Sequence, residues 1–151
     1  MIKVICVGKI KEKYFVDAIR EYEKRLTKYA KLQIIEVDDV ASSNPIISLK
    51  KEKELILKHI NSKDYIITMD INGKKMDSVS FSKNLDFIIS NNSNIIFIIG
   101  GSYGVDDEIK EISDLLLSFS DMTFPHQLFR VFLLEQLYRA FKINNNEKYH
   151  K

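Results

Sequence analysis

The sequence predicts an α/β fold: a mostly parallel sheet covered by helices on both faces, in a single domain over residues 1–151. Three observations predict it. Short apolar runs alternate with helical stretches along the whole chain, with no internal repeat and no linker, and strict alternation in so short a chain gives a parallel sheet. Ile95–Ile99 is a run of five apolar residues, the pattern of a strand buried on both faces. That strand ends in Gly100-Gly101-Ser102-Tyr103-Gly104, and the carboxyl edge of an open α/β sheet is where ligands sit.

In order, Ile2 to Gly8 reads as a first buried strand. Tyr14, Phe15, Ala18, Ile19, Tyr22, Leu26 and Tyr29 then recur at helical spacing. Leu32 to Val37 is a second strand, and Asn44-Pro45 a turn signal before a Lys/Glu-rich helix over 46–61. Asp64 to Ile71 is a third strand, turned by Asn72-Gly73-Lys74, and Ser78 to Ser90 a helix. After the central strand, Asp106 to Leu117 reads as a helix and Phe119 to Phe124 as a short fifth strand or extended segment. Pro125 fits the first turn of a last helix running to about Ile143, followed by an eight-residue tail ending Tyr149-His150-Lys151.

The composition, 45% hydrophobic and 29% charged, supports a real core. The net charge of +2 is unevenly placed. Residues 1–75 hold 16 Lys and Arg against 11 Asp and Glu, whereas residues 76–151 hold 7 against 10. The basic half is thus the side expected to face an anion, or else a solvated Lys-rich surface. Cys6 is the only cysteine and falls within a strand pattern, as a small core residue would. The amino terminus is charged too soon for a signal peptide and no run reaches the length of a membrane span, so a cytoplasmic protein without membrane contact is expected. One cysteine and three scattered histidines do not make a metal site.

The glycine loop narrows the ligand class. It matches neither GxxxxGK[ST] nor GxGxxG. The helix behind it opens with Asp106-Asp107-Glu108, three carboxylates that suit a helix amino terminus but repel a phosphate. A neutral or cationic ligand fits better; the alternative is a tight β-to-α turn with no ligand.

The last helix is apolar around most of its circumference. Glu135, Arg139 and Lys142 fall within about one sixth of it at 3.6 residues per turn. Such a helix packs against something beyond its own sheet, and a homodimer is the economical partner. Arg130 falls inside the apolar arc, where it either snorkels or, buried, needs a partner at a dimer seam or ligand wall.

Three blocks together, IIGGSYG, SFSDMTFPHQLFRVFLLEQLYRAFKI and the final YHK, with the opening VGK and the segment TMDINGK, resemble the ribosomal RNA large-subunit methyltransferase H family across essentially the whole chain. The resemblance implies a SPOUT-type fold with a carboxyl-terminal trefoil knot and a homodimer built through the last helix. It also implies S-adenosylmethionine as methyl donor, with no metal, and N3 of a pseudouridine in the 23S rRNA of the ribosome as acceptor. Carried over residue by residue, the cofactor site would be Met69, Gly100, Phe119, Ser120, Asp121, Met122, Thr123 and Phe124. Met69 stands where leucine is common; both are apolar. A sulfonium ligand without phosphate agrees with the acidic start of the helix behind the loop.

Methyl transfer to N3 requires removal of a proton, and a base poised near neutral pH suits that task. His59 lies on the Lys/Glu-rich helix. His126 follows Pro125 at a helix start, as a cap, a loop contact or a group serving substrate or cofactor. The tail is the leading catalytic candidate: Tyr149 to stack on a base, His150 to orient or deprotonate the uracil face, Lys151 to meet a phosphate. By resemblance the tail reaches the active site, its own or the partner's. Lys9, Lys11 and Lys13, with Arg130 and Arg139, are the candidate RNA contacts. The rival readings are a non-enzymatic dimeric RNA- or ribosome-binding module and a related SPOUT methyltransferase acting on tRNA.

Overall fold

The computed structural model describes residues 1–151. Its sheet has five parallel strands in the order β2-β1-β4-β3-β5. The strands are β1 (Ile2–Val7), β2 (Leu32–Val37), β3 (Tyr65–Lys75), β4 (Ile95–Ile99) and β5 (Leu115–Ser118). The helices are α1 (Lys13–Leu26), α2 (Pro45–Leu57), α3 (Ser78–Asn91), α4 (Asp107–Glu111) and α5 (His126–Asn144). β4 is central and buried at every residue, as its unbroken apolar run requires.

Side chains alternate across each strand and so divide the core in two. Val4, Cys6, Ile67, Phe97 and Leu117 face one side, against Ile19 and Leu26 of α1, Phe81, Leu85 and Ile88 of α3, and Leu133, Leu134 and Leu137 of α5. Ile5, Val7, Ile66, Ile96 and Ile98 face the other, against Ile56 of α2 and Ile109 of α4. Three helices thus cover one face and two the other. Cys6 is fully buried, and burial pushes its thiol up to about 12, so it is an inert core residue. No helix is long and apolar enough to cross a membrane.

Three assignments differ from the sequence expectation. The fourth helix stops at Glu111 instead of Leu117, and the fifth strand is Leu115–Ser118, not Phe119 to Phe124. Leu115-Leu116-Leu117 suits either structure by composition. Tertiary bonds decide it: Asp114 accepts from Ile66 N–H at 2.7 Å and donates its own N–H to Ile66 O at 2.9 Å, and Thr68 Oγ1 meets Ser113 Oγ at 2.7 Å. These bonds draw the chain onto the edge of β3.

The third difference lies in β3. Asn72-Gly73-Lys74 does not end the strand. Leu117 pairs with both Met69 and Lys74, so residues 70–73 bulge out and the strand resumes. A Cβ on Gly73 would stand 2.6 Å from the Leu116 carbonyl carbon and 2.7 Å from Leu117 N, so only glycine closes this excursion against β5.

Candidate active site

The excursion, the glycine loop and the segment after β5 converge at the carboxyl edge of β3, β4 and β5. They enclose a cavity of about 380 Å³, within the size range of small-ligand sites. Of the eight predicted cofactor residues it gathers seven: Met69, Gly100, Phe119, Ser120, Met122, Thr123 and Phe124. Asp121 points elsewhere and pairs with Lys75. The loop 119–124 is shaped by its own serines. Ser118 Oγ donates to Ser120 O at 3.0 Å, and Ser120 Oγ accepts from Met122 N–H at 2.9 Å.

Gly100 is required by close approach. A Cβ there would collide with the Gly104 carbonyl and stand 2.7 Å from Val105 Cγ2. Gly104 N–H donates to Gly101 O at 3.1 Å, closing the loop, and Gly104 itself has φ +79°.

The cavity also contains residues outside the predicted cofactor set. Lys110 of α4 reaches across to Asp70 in the β3 excursion at 2.7 Å. Burial works to raise the Asp70 carboxyl, but Lys110 and the Asn72 N–H outweigh it and hold Asp70 below its ordinary value. Lys110 is thereby neutralised, so the cavity offers no spare cation for a phosphate. His126 and Phe129, from the first turn of α5, complete the wall. For Asp70 and Lys110 the sequence carries no signal, because their pairing depends on the bulge. For His126 the signal was its place directly after Pro125.

A second cavity of about 490 Å³ lies behind the first, and the two share Leu117, Phe119 and Phe124 as walls. His150 lines this second cavity with Phe132, Glu135 and Gln136 of α5 and Asp77 and Ser78 at the start of α3. The tail is not frayed. Glu147 accepts from Lys142 Nζ at 2.6 Å, Tyr29 OH at 3.0 Å and Lys28 Nζ at 3.1 Å. Tyr149 donates its hydroxyl to Glu135 at 3.0 Å, its ring lies under Arg139 at 4.7 Å, and it meets Tyr138 edge-on at 5.0 Å. Burial and the Glu135 bond push the Tyr149 hydroxyl up to about 12, which rules it out as a base near neutrality. Arg139 also grips Glu135 at 2.6 Å and donates to His150 Nδ1 at 3.2 Å. Lys151 is exposed.

The predicted RNA-contacting residues are not brought together. Lys9 and Lys13 are exposed and paired with Asp38 at 3.0 Å and Asp17 at 2.6 Å, and Lys11 is exposed. Arg139 belongs to the tail network. Arg130 is 2% exposed and enclosed by protein. It donates to Gly8 O at 2.6 Å, Val7 O at 3.0 Å and Glu36 at 2.7 Å, tying α5 to the ends of β1 and β2. Its partner is therefore within its own chain. The rest of α5 packs between α1 and α3; Leu128, Val131 and Phe132 are half-buried, Val131 against the main core and Phe132 edge-on to Phe124 at 5.3 Å.

The family profile described as "Predicted SPOUT methyltransferase" matches residues 1–150. The chain is 50% identical over 154 residues to the ribosomal RNA large subunit methyltransferase H of Caldicellulosiruptor saccharolyticus, covering 100% of both chains. It is 48% identical over 157 residues to the protein of the same name from Acetivibrio thermocellus, covering 99% of each. Among solved structures it resembles a probable methylase family protein of Haemophilus influenzae, with a TM-score of 0.61 at 13% identity, over 99% of this chain and 70% of that one.

Proposed function

The chain belongs to the SPOUT methyltransferase family and, within it, to the ribosomal RNA large subunit methyltransferase H family; from that premise we propose that it methylates N3 of a pseudouridine in 23S rRNA. The donor is S-adenosylmethionine, and the enzyme works as a cytoplasmic homodimer on assembled ribosomes. The observation that carries this reading is the cavity walled by Met69, Gly100, Phe119 and Phe124. Its chemistry fits the donor. Apolar and aromatic walls suit an adenine, backbone groups of the glycine loop suit a ribose, and the Asp70–Lys110 pair leaves the cavity without net charge, which a phosphate would not favour.

Bound there, S-adenosylmethionine would supply an electrophilic methyl group on its sulfonium. The protein's part is to hold donor and acceptor in line and to keep water out. The tail addresses the acceptor in the partner copy's site, because Leu117, Phe119 and Phe124 separate His150 from its own chain's cofactor cavity. A guanidinium can only donate, so the Arg139 bond leaves a neutral His150 with its proton on Nε2, ready to donate to a pyrimidine carbonyl. Tyr149 anchors that arrangement and Lys151 is free to meet a phosphate. Lys9, Lys11 and Lys13 extend the basic surface toward the rRNA backbone. Two copies meet through α5, where Leu128 and Phe132 remain half-buried in the single chain.

The experiment is methyl transfer from labelled S-adenosylmethionine to ribosomes that carry or lack pseudouridines. Transfer only to the pseudouridine-bearing ribosomes, with the label in 23S rRNA and little transfer to naked rRNA, is the expected result. Transfer to tRNA instead would favour the related tRNA enzyme, and no transfer at all would favour a binding module.

A further inference from the structure

We infer that His126, rather than His150, accepts the proton released from the target nitrogen. The inference rests on the methyltransferase reading above and adds the residue that makes the acceptor nucleophilic. Geometry separates the two histidines. His126 lies in the wall of the cofactor cavity itself, whereas His150 lies in the second cavity, beyond the partition formed by Leu117, Phe119 and Phe124. His150 Nδ1 is engaged by Arg139, while the His126 ring makes no hydrogen bond within the chain.

The backbone at the end of β1 leaves one side of the imidazole uncovered by a side chain. Gly8, at the end of β1 with φ +90°, puts no side chain beside it. The position a Cβ would take there is 3.7 Å from His126 Nε2, 3.9 Å from Arg130 Nη2 and 3.9 Å from Asp39 Cβ. A methyl-sized space therefore lies against Nε2 on the Gly8 side, and the ring itself lines the cavity.

The surrounding charges favour a neutral ring. Burial and then the Arg130 guanidinium lower the His126 pKa below 6.5, with Asp39 opposing. Arg130 is fixed by Val7 O, Gly8 O and Glu36, so its charge cannot swing away. Asp70 and Lys110, on the other side of the cavity, are paired with each other. Three other candidate bases in the two cavities and the tail are engaged. Asp70 is held ionised by Lys110, Glu135 is held by Arg139 and Tyr149, and the Tyr149 hydroxyl is pushed up to about 12. A neutral imidazole has a lone pair that no cation of the chain engages, whereas the lone pairs of Asp70 and Glu135 are drawn on by Lys110 and Arg139.

In the step itself, His126 takes the N3 proton. The electron pair of that N–H bond forms the new N3–carbon bond to the methyl group. The methyl–sulfur bond breaks with its pair staying on sulfur, leaving a neutral thioether. The imidazolium then passes its proton to water.

The first readout needs no catalysis. In proton NMR of the full chain, with His59 and His150 assigned by substitution, the His126 ring should titrate below 6.5 and shift when S-adenosylhomocysteine is added. An imidazolium persisting above pH 7, or a ring blind to that ligand while the protein binds it, would overturn the inference. The second readout is the pH profile of kcat/KM on ribosomes. Wild type should rise through the His126 pKa to a plateau. His126→Gln should lose that inflection and about 10²–10⁴ in kcat while still binding S-adenosylhomocysteine. A His126→Gln enzyme with the wild-type rate and profile would sink this inference alone. A wild type that neither binds the ligand nor transfers methyl would remove the methyltransferase reading with it.

Discussion

Arg139 holds His150 through Nδ1 at 3.2 Å, and the same guanidinium is bonded to Glu135 and stacked over Tyr149. One side chain of α5 therefore sets the position of two tail residues and the tautomer of one. The tail, a terminus by position, is a fixed part of the fold.

If this arrangement presents a donor to the acceptor base, His150→Ala should lower kcat/KM about 10–100-fold, the worth of one hydrogen bond of about 1.5–3 kcal/mol. Arg139→Met should cause most of the same loss, and the double variant little more, because both changes remove one interaction. Steady-state kinetics of the three proteins on ribosomes would check this. Additive losses would mean that the two residues act separately.

The tail should also let go in acid. Lys142, then Lys28 and Tyr29, pull the Glu147 carboxyl down to about 2 from its ordinary 4.5. A folded-state value below the unfolded one means that the anchoring is complete above about 4.5 and is lost as pH falls from there toward 2. Amide hydrogen exchange of residues 145–151 should accelerate through that window. Glu147→Gln should exchange rapidly already at neutral pH, and its exchange should lose the acid transition.

Arg130 should behave as a structural clamp. Arg130→Met leaves the Val7 and Gly8 carbonyls and Glu36 without their donor. Removing one partner of a buried pair typically costs about 3–5 kcal/mol, readable as a lower urea midpoint. A variant of unchanged stability but weakened ribosome binding would restore the expectation that Arg130 contacts RNA.

The sequence was legible where a pattern had a single structural solution. The five-residue apolar run could only be a doubly buried strand, and Ile95–Ile99 is β4. Strand–helix alternation gave the parallel sheet. Arg130 was expected to snorkel or to meet a dimer seam, a ligand wall or RNA; it is instead held inside its own chain by Glu36, Val7 and Gly8, partners that only the tertiary fold brings to it. Legibility failed where tertiary bonds chose between local alternatives. Leu115-Leu116-Leu117 became a strand because Ser113 and Asp114 bond to β3, and Asn72-Gly73 became a bulge because Gly73 fits against Leu116 and Leu117. The Asp70–Lys110 pair across the cavity depends on both outcomes, so no spacing in the chain announces it.

The central claim is that the cavity behind Gly100 holds a methionine-derived cofactor and not a phosphate ligand. Calorimetric titration of the wild type and Gly100→Val with S-adenosylmethionine, S-adenosylhomocysteine and ATP tests it most directly. The valine forces the loop open, because even its Cβ collides with the Gly104 carbonyl. The wild type is expected to bind the first two ligands and not ATP, and Gly100→Val to lose that binding while remaining folded. Binding of ATP by the wild type, absence of binding by both methionine-derived ligands, or full affinity in Gly100→Val would contradict it.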